Sequence, residues 1–126
     1  MLTLSPGWEL DVDRGPDGLL VKVRKPSAHD VPGQPLAEVL WELLGRHSVH
    51  RLLLELDQIR HLDEDLIEQL LELQGRIESH GGILRICGLS PYNRRLLLER
   101  HLDDRLVPYC DRSDAVLGHP LPRQPR

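Results

Sequence analysis

The chain has 126 residues, with 16 Lys and Arg against 20 Asp and Glu, a net charge of -4, 40% hydrophobic residues and no Phe. That length supports one core without disulfides or metal, and the mixed, slightly acidic charge excludes nucleic acid as the expected partner. Aromatic residues at 3% exclude a stacking platform for bases or sugars, so the core must be aliphatic.

The N-terminus MLTLSPGWELDVD lacks the positive and apolar blocks of an export signal. Nothing in the chain approaches the roughly 20 apolar residues of a membrane span. A cytoplasmic protein with no direct membrane insertion is therefore expected. Residues 2–23 alternate loosely and are interrupted by DRGPDGLL, where Gly15, Pro16 and Gly18 predict a turn between two strands. The expected element is a hairpin, with GLLVKVR as its second strand. KPSAHDVPGQP then reads as a loop leading to a helix at about Pro35, where Pro suits a first turn. In that helix Leu36, Val39, Leu40, Leu43 and Leu44 form one apolar stripe, while Glu38, Glu42 and Arg46 face away.

RLLLELDQI is a short, nearly continuous apolar run, as expected of a strand covered on both faces. It is followed by HLDEDLIEQLLEL, in which Leu66, Ile67, Leu70, Leu71 and Ile77 recur at helical spacing, so a helix begins near Asp63 or Asp65. Asp63, Glu64 and Asp65 thus crowd a helix N-terminus, where free amides and the helix dipole favour carboxylates by roughly 0.3 to 1 kcal/mol. The same geometry holds anions such as phosphoryl groups, so fixed carboxylates there are open to a second reading as phosphate mimics. Gly81 and Gly82 supply the stop for this helix.

ILRICGL repeats the buried-strand pattern, and Cys87 within it reads as a buried reduced thiol and not as half of a disulfide with Cys110. SPYNRRLLLERHL opens with a Ser cap followed by Pro, a well-formed helix start. RLVPYC fits a last short strand, RSDAVLG a closing helix, and residues 119–126 an unfolded Pro-rich tail after a single domain over 1–118. Strands and helices alternating after a hairpin predict an α/β fold with a mostly parallel sheet. In such sheets functional surfaces gather at the carboxyl ends of strands, where HLDEDL lies.

The segment from Arg51 to Gly118 resembles the STAS family, the domain of bacterial anti-sigma factor antagonists. The likeness rests on LLLELDQI, the acidic junction at Asp63, LIEQLLELQGRIESHGG, ILRICGLSP, YNRRLLLERHLDD and RLVPYCDRSDAV, in that order. It implies a four- to five-stranded, mostly parallel sheet with helices packed on one side, reached through an N-terminal hairpin. It also implies a non-enzymatic, protein-binding regulatory module of transcriptional signalling. Switching members of the family carry DSSG or DSTG at the strand-to-helix junction, and a partner kinase phosphorylates its Ser or Thr. Asp63 matches the family's Asp, whereas Glu64 and Asp65 stand in the hydroxyl positions and Leu66 stands in place of the Gly.

The resemblance implies an anti-sigma factor or related serine kinase as partner, gripping the surface around Asp63, Glu64 and Asp65 and the start of the next helix at Tyr92, Asn93 and Arg94. Its alternative is an accessory subunit of a lipid ABC-transport complex. Capping alone is a sufficient cause for the three acids, with phosphate mimicry as the competing cause. Other constellations carry little. His47 and His50, with His61 and His80, lack HExxH or CxxC spacing; the acids lack the Gly turn and distal carboxylate of a calcium loop; Ser90 has no nucleophile-elbow context; GGILRICG lacks GxGxxG order. No metal, cofactor or catalytic residue is expected.

Overall fold

The computed structural model describes residues 2–5, 8–15, 18–24, 35–102 and 104–109. Within them β2 (Trp8–Arg14) runs antiparallel to both its neighbours, β1 (Leu2–Ser5) and β3 (Leu19–Arg24), and β4 (Arg51–Glu55), β5 (Ile83–Cys87) and β6 (Pro108–Tyr109) continue parallel to β3. Helices α1 (Leu36–His47), α2 (Glu64–Ser79) and α3 (Pro91–Glu99) fill the three crossovers. From β2 onward this is the five-stranded sheet expected, with a single antiparallel pair. β1 adds a second such pair, and the sequence signal for it is the turn dipeptide Pro6-Gly7, which splits the predicted first strand. Cys110, the closing helix proposed for RSDAVLG and the Pro-rich tail lie outside the described residues.

Spatial order follows chain order from β1 to β6. Each parallel strand is thus added beside the previous one, and all three helices pack into one core cluster against the sheet. A single core cluster unites Leu10, Val12, Leu19, Val21 and Val23 of the hairpin, Leu52, Leu54 and Ile86 of the central strands, and residues of all three helices. The alternation of β2 and β3 is what makes this possible, because period-2 patterning puts their aliphatic residues on the helix side. On the opposite face, register sets Lys22 between Asp11 and Glu55. Lys22 Nζ lies 3.6 Å from Glu55 and 3.3 Å from Asp57. Nearby, Leu53, Cys87 and Tyr109 form a small second cluster, with the Cys87 side chain buried.

The helices end alike. In α2, Gly81 adopts φ 76°, its N–H donates to the Glu78 carbonyl (3.0 Å) and that of Gly82 to the Ile77 carbonyl (2.9 Å), the paired bonds of a Schellman motif. Ser48 (φ 54°) after α1 and His101 (φ 57°) after α3 hold the same left-handed position. At its start α1 has Pro35, which carries no capping oxygen, and the acceptor comes instead from α2: Ala37 N–H donates to Gln69 Oε1 at 3.2 Å. Gln74, a buried amide on α2, donates to the carbonyl of Arg105 before β6.

Gly82 has a second duty. A Cβ there would sit 1.8 Å from the His50 carbonyl oxygen, and backbone cannot retreat cheaply. We expect Gly82→Ala to cost about 3 kcal/mol in urea unfolding. Gly75, inside α2 with nothing within 4 Å of its notional Cβ, should give the opposite sign: Gly75→Ala gains roughly 0.5 to 1 kcal/mol.

Candidate functional site

The junction between β4 and α2 is built from alternating anchors and exposed residues. Leu56, Ile59 and Leu62 are buried, while Asp57, Gln58, Arg60 and His61 between them are exposed. Leu56 N–H donates to the Cys87 carbonyl at 2.9 Å, extending the β4–β5 ladder by one bond before the chain turns at Ile59, whose N–H reaches the Leu56 carbonyl at 3.1 Å. Such a turn leaves backbone groups of the loop facing the core, where each must find a partner.

Asn93 supplies it. Its side chain is fully buried, accepts a bond from Leu62 N–H (2.9 Å) and donates to the Ile59 carbonyl (2.9 Å), so one amide satisfies both ends of the loop. Its own N–H is capped by Ser90 Oγ at 3.1 Å, the role expected for Ser90. The junction before α2 is therefore bolted to the first turn of α3. This corrects the expectation that Asn93 faces outward with Tyr92 and Arg94. Tyr92 is exposed and Arg94 half-buried, but Asn93 belongs to the interior. The signal was present in the sequence: Asn93 is four residues before buried Leu97, on the apolar side of the helix.

The three acids fare differently from one another. Asp63 is the N-cap of α2, extended at φ -73° and ψ 172°, and its Oδ1 accepts from Leu66 N–H at 2.8 Å. The carboxylate of Glu64, in the first turn, is 2.8 Å from the Arg100 guanidinium at the end of α3. Asp65 points outward and has no side-chain partner among the described residues. Beside them the His61 ring meets Tyr92 edge-on, with centroids 5.5 Å apart. The exposed corner thus consists of His61, Asp63, Glu64, Asp65, Tyr92 and Arg100. Arg100 and His61 were not singled out for this place, because pairing across two helix ends has no local sequence mark.

Among the described residues no three His, Cys, Asp or Glu side chains converge as metal ligands, and no helix is long and apolar enough to cross a membrane.

A STAS domain protein from Planctomyces limnophilus, an anti-sigma-factor antagonist, superposes with a TM-score of 0.61 over 87% of this chain and 97% of its own, at 19% identity. The fold is that of a STAS domain. A Moorella thermoacetica RsbS variant carrying a serine-to-glutamate substitution matches with a TM-score of 0.70 at 17% identity, over 87% of this chain and 93% of its own. No protein-family model matches the sequence and no curated protein matches it. What this chain shares with these two structures therefore lies in the backbone and the layering, with few residues in common.

Truncating Asn93 tests the bolt. Asn93→Ala leaves a buried N–H and a buried carbonyl without partners, and we expect a loss of about 2 to 4 kcal/mol in urea unfolding with accelerated amide exchange at residues 59–62. Arg100→Ala should cost less than about 1 kcal/mol, since its pair with Glu64 is exposed.

Proposed function

We propose that this STAS-type chain is a non-enzymatic regulatory module that binds another protein through the corner formed by Asp63, Glu64 and Asp65, with Tyr92 and Arg94 beside it. The partner is an anti-sigma factor or a related serine kinase in the cytoplasm, and no cofactor takes part. The observation that supports this reading is the position of Glu64 and Asp65 in the first turn of α2, beyond the carboxyl end of β4; by the sequence resemblance these are the positions where switching STAS domains carry a hydroxyl. A carboxylate forms no stable phosphoester, so the acceptor for a covalent switch is missing from this turn.

The charge at the corner is fixed, and it is smaller than the sequence alone implies. Asp63 accepts the Leu66 N–H and Glu64 pairs with Arg100, while Asp65 has no side-chain partner among the described residues. A phosphoserine would bring about 1.5 to 2 charges and three strong acceptors. The module therefore binds in one standing state, with recognition by shape and by exchange of the Arg100 pair, not by a switched charge.

The test is affinity capture from the native cytoplasm with the wild-type chain and with Glu64→Ser/Asp65→Ser, followed by measured affinities for the captured protein. We expect an anti-sigma factor or serine kinase, and a change in affinity well beyond the roughly 1 kcal/mol of cap chemistry. Equal affinities would leave the acids as helix caps only. Capture of a transporter ATPase subunit would replace this reading with that of an accessory part of a lipid transport complex.

A further inference from the structure

Tyr92 is 54% exposed, the most open of the large apolar side chains among the described residues. It does not swing freely. Asn93 beside it is buried and bonded to the loop, Ser90 caps the same helix, and the His61 ring braces Tyr92 edge-on at 5.5 Å. An exposed aromatic ring on a fixed backbone offers contact area at small entropic cost, and Tyr and Arg are the residues enriched where proteins meet.

Charges of both signs share this face. Arg95 follows Tyr92 by one turn, on the same side of α3. Its side chain is 79% exposed and its Nε lies 3.6 Å from Glu99, an exposed pair that holds it weakly. His61 meets Tyr92 at the start of α3, whereas Glu64 meets Arg100 at its end, so the loop runs alongside the helix. Asp65, next to Glu64, is exposed and has no side-chain partner among the described residues. The ridge thus carries an aromatic ring and a loosely held guanidinium towards one end and an open carboxylate at the other.

Such a ridge is complementary to itself after a half turn. A uniformly acidic or basic surface matches one end and opposes the other, whereas a second copy matches both. From these observations we infer that a second copy of this chain docks on the corner as a two-fold dimer, in which Asp65 of each chain meets Arg95 and the Tyr92 hydroxyl of the other. The Glu64–Arg100 pair then lies near the axis, and every contact is made twice. One helix face and one loop form a small interface, so the dimer is weak and depends on concentration. Any other protein gripping the same corner has to displace it.

Sedimentation equilibrium of the full chain, from micromolar to millimolar concentration, reads this association without any other protein, so its result is independent of the partner proposed above. We expect a monomer–dimer equilibrium that weakens as salt is raised. Tyr92→Ala, Asp65→Arg and Arg95→Asp should each weaken it about tenfold or more, while Ile83→Ser, an exposed apolar position at the other end of the strands, leaves it unchanged. An equal mixture of the Asp65→Arg and Arg95→Asp chains should recover the dimer, because each opposite-charge pair is restored across the axis. A chain that stays monomeric at millimolar concentration, an association untouched by the two charge reversals, equal weakening by Ile83→Ser, or no recovery in the mixture would overturn the inference. Circular dichroism melts of each variant exclude unfolding as the cause of a loss.

Discussion

The side-chain amide of Asn93 is the interaction on which the corner of this molecule depends. A loop between a parallel strand and the next helix carries polar backbone inward, and water is excluded there by Leu56, Ile59 and Leu62. Asn is suited to the task because one planar group both donates and accepts, at 2.9 Å in each direction. With those bonds made, Asp63 is set where its carboxylate reaches Leu66 N–H, and α2 begins at Glu64. The helix start, the orientation of the acids and the placement of Tyr92 thus follow from one buried residue of α3.

That dependence explains what three adjacent carboxylates do. Their sum invites a picture of a strongly negative surface, but the geometry divides them: one is consumed by the helix amides, one meets a guanidinium from a different helix, and one faces solvent. Like charges in sequence need not act as a unit in space, because entry into a helix turns successive side chains away from one another.

The elements legible from the sequence were those with strong periodicity. The apolar stripe of α1, the spacing from Leu66 to Ile77, the continuous run of Leu52 to Leu54 and the Ser90-Pro91 start all correspond to observed elements, because each encodes burial or a cap locally. β1 carries a weak signal of its own, because its four residues continue the alternation of β2 and Pro6-Gly7 alone stands between the two in the sequence. Within the described residues β6 spans Pro108–Tyr109, inside the expected RLVPYC. At the site, the position of the acids is readable and so is the place of Asn93 on the Leu97 side of α3, whereas its bonds to the loop at Ile59 and Leu62, the reach of Arg100 to Glu64 and the meeting of His50 with His80 are not. Each of those joins residues about 30 or more apart, and no local pattern reports on such a pairing.

The agreement between spatial and chain order has a consequence for how the protein is made. Every strand after the first finds its neighbour in the segment translated just before it, so no edge must be held open for a piece arriving later. Synthesis from the N-terminus can lay down the layers in turn, and the loop closures needed at each step stay short, which lowers the entropic barrier to pairing. A nascent chain of this topology therefore leaves little unpaired strand exposed to its neighbours on the ribosome.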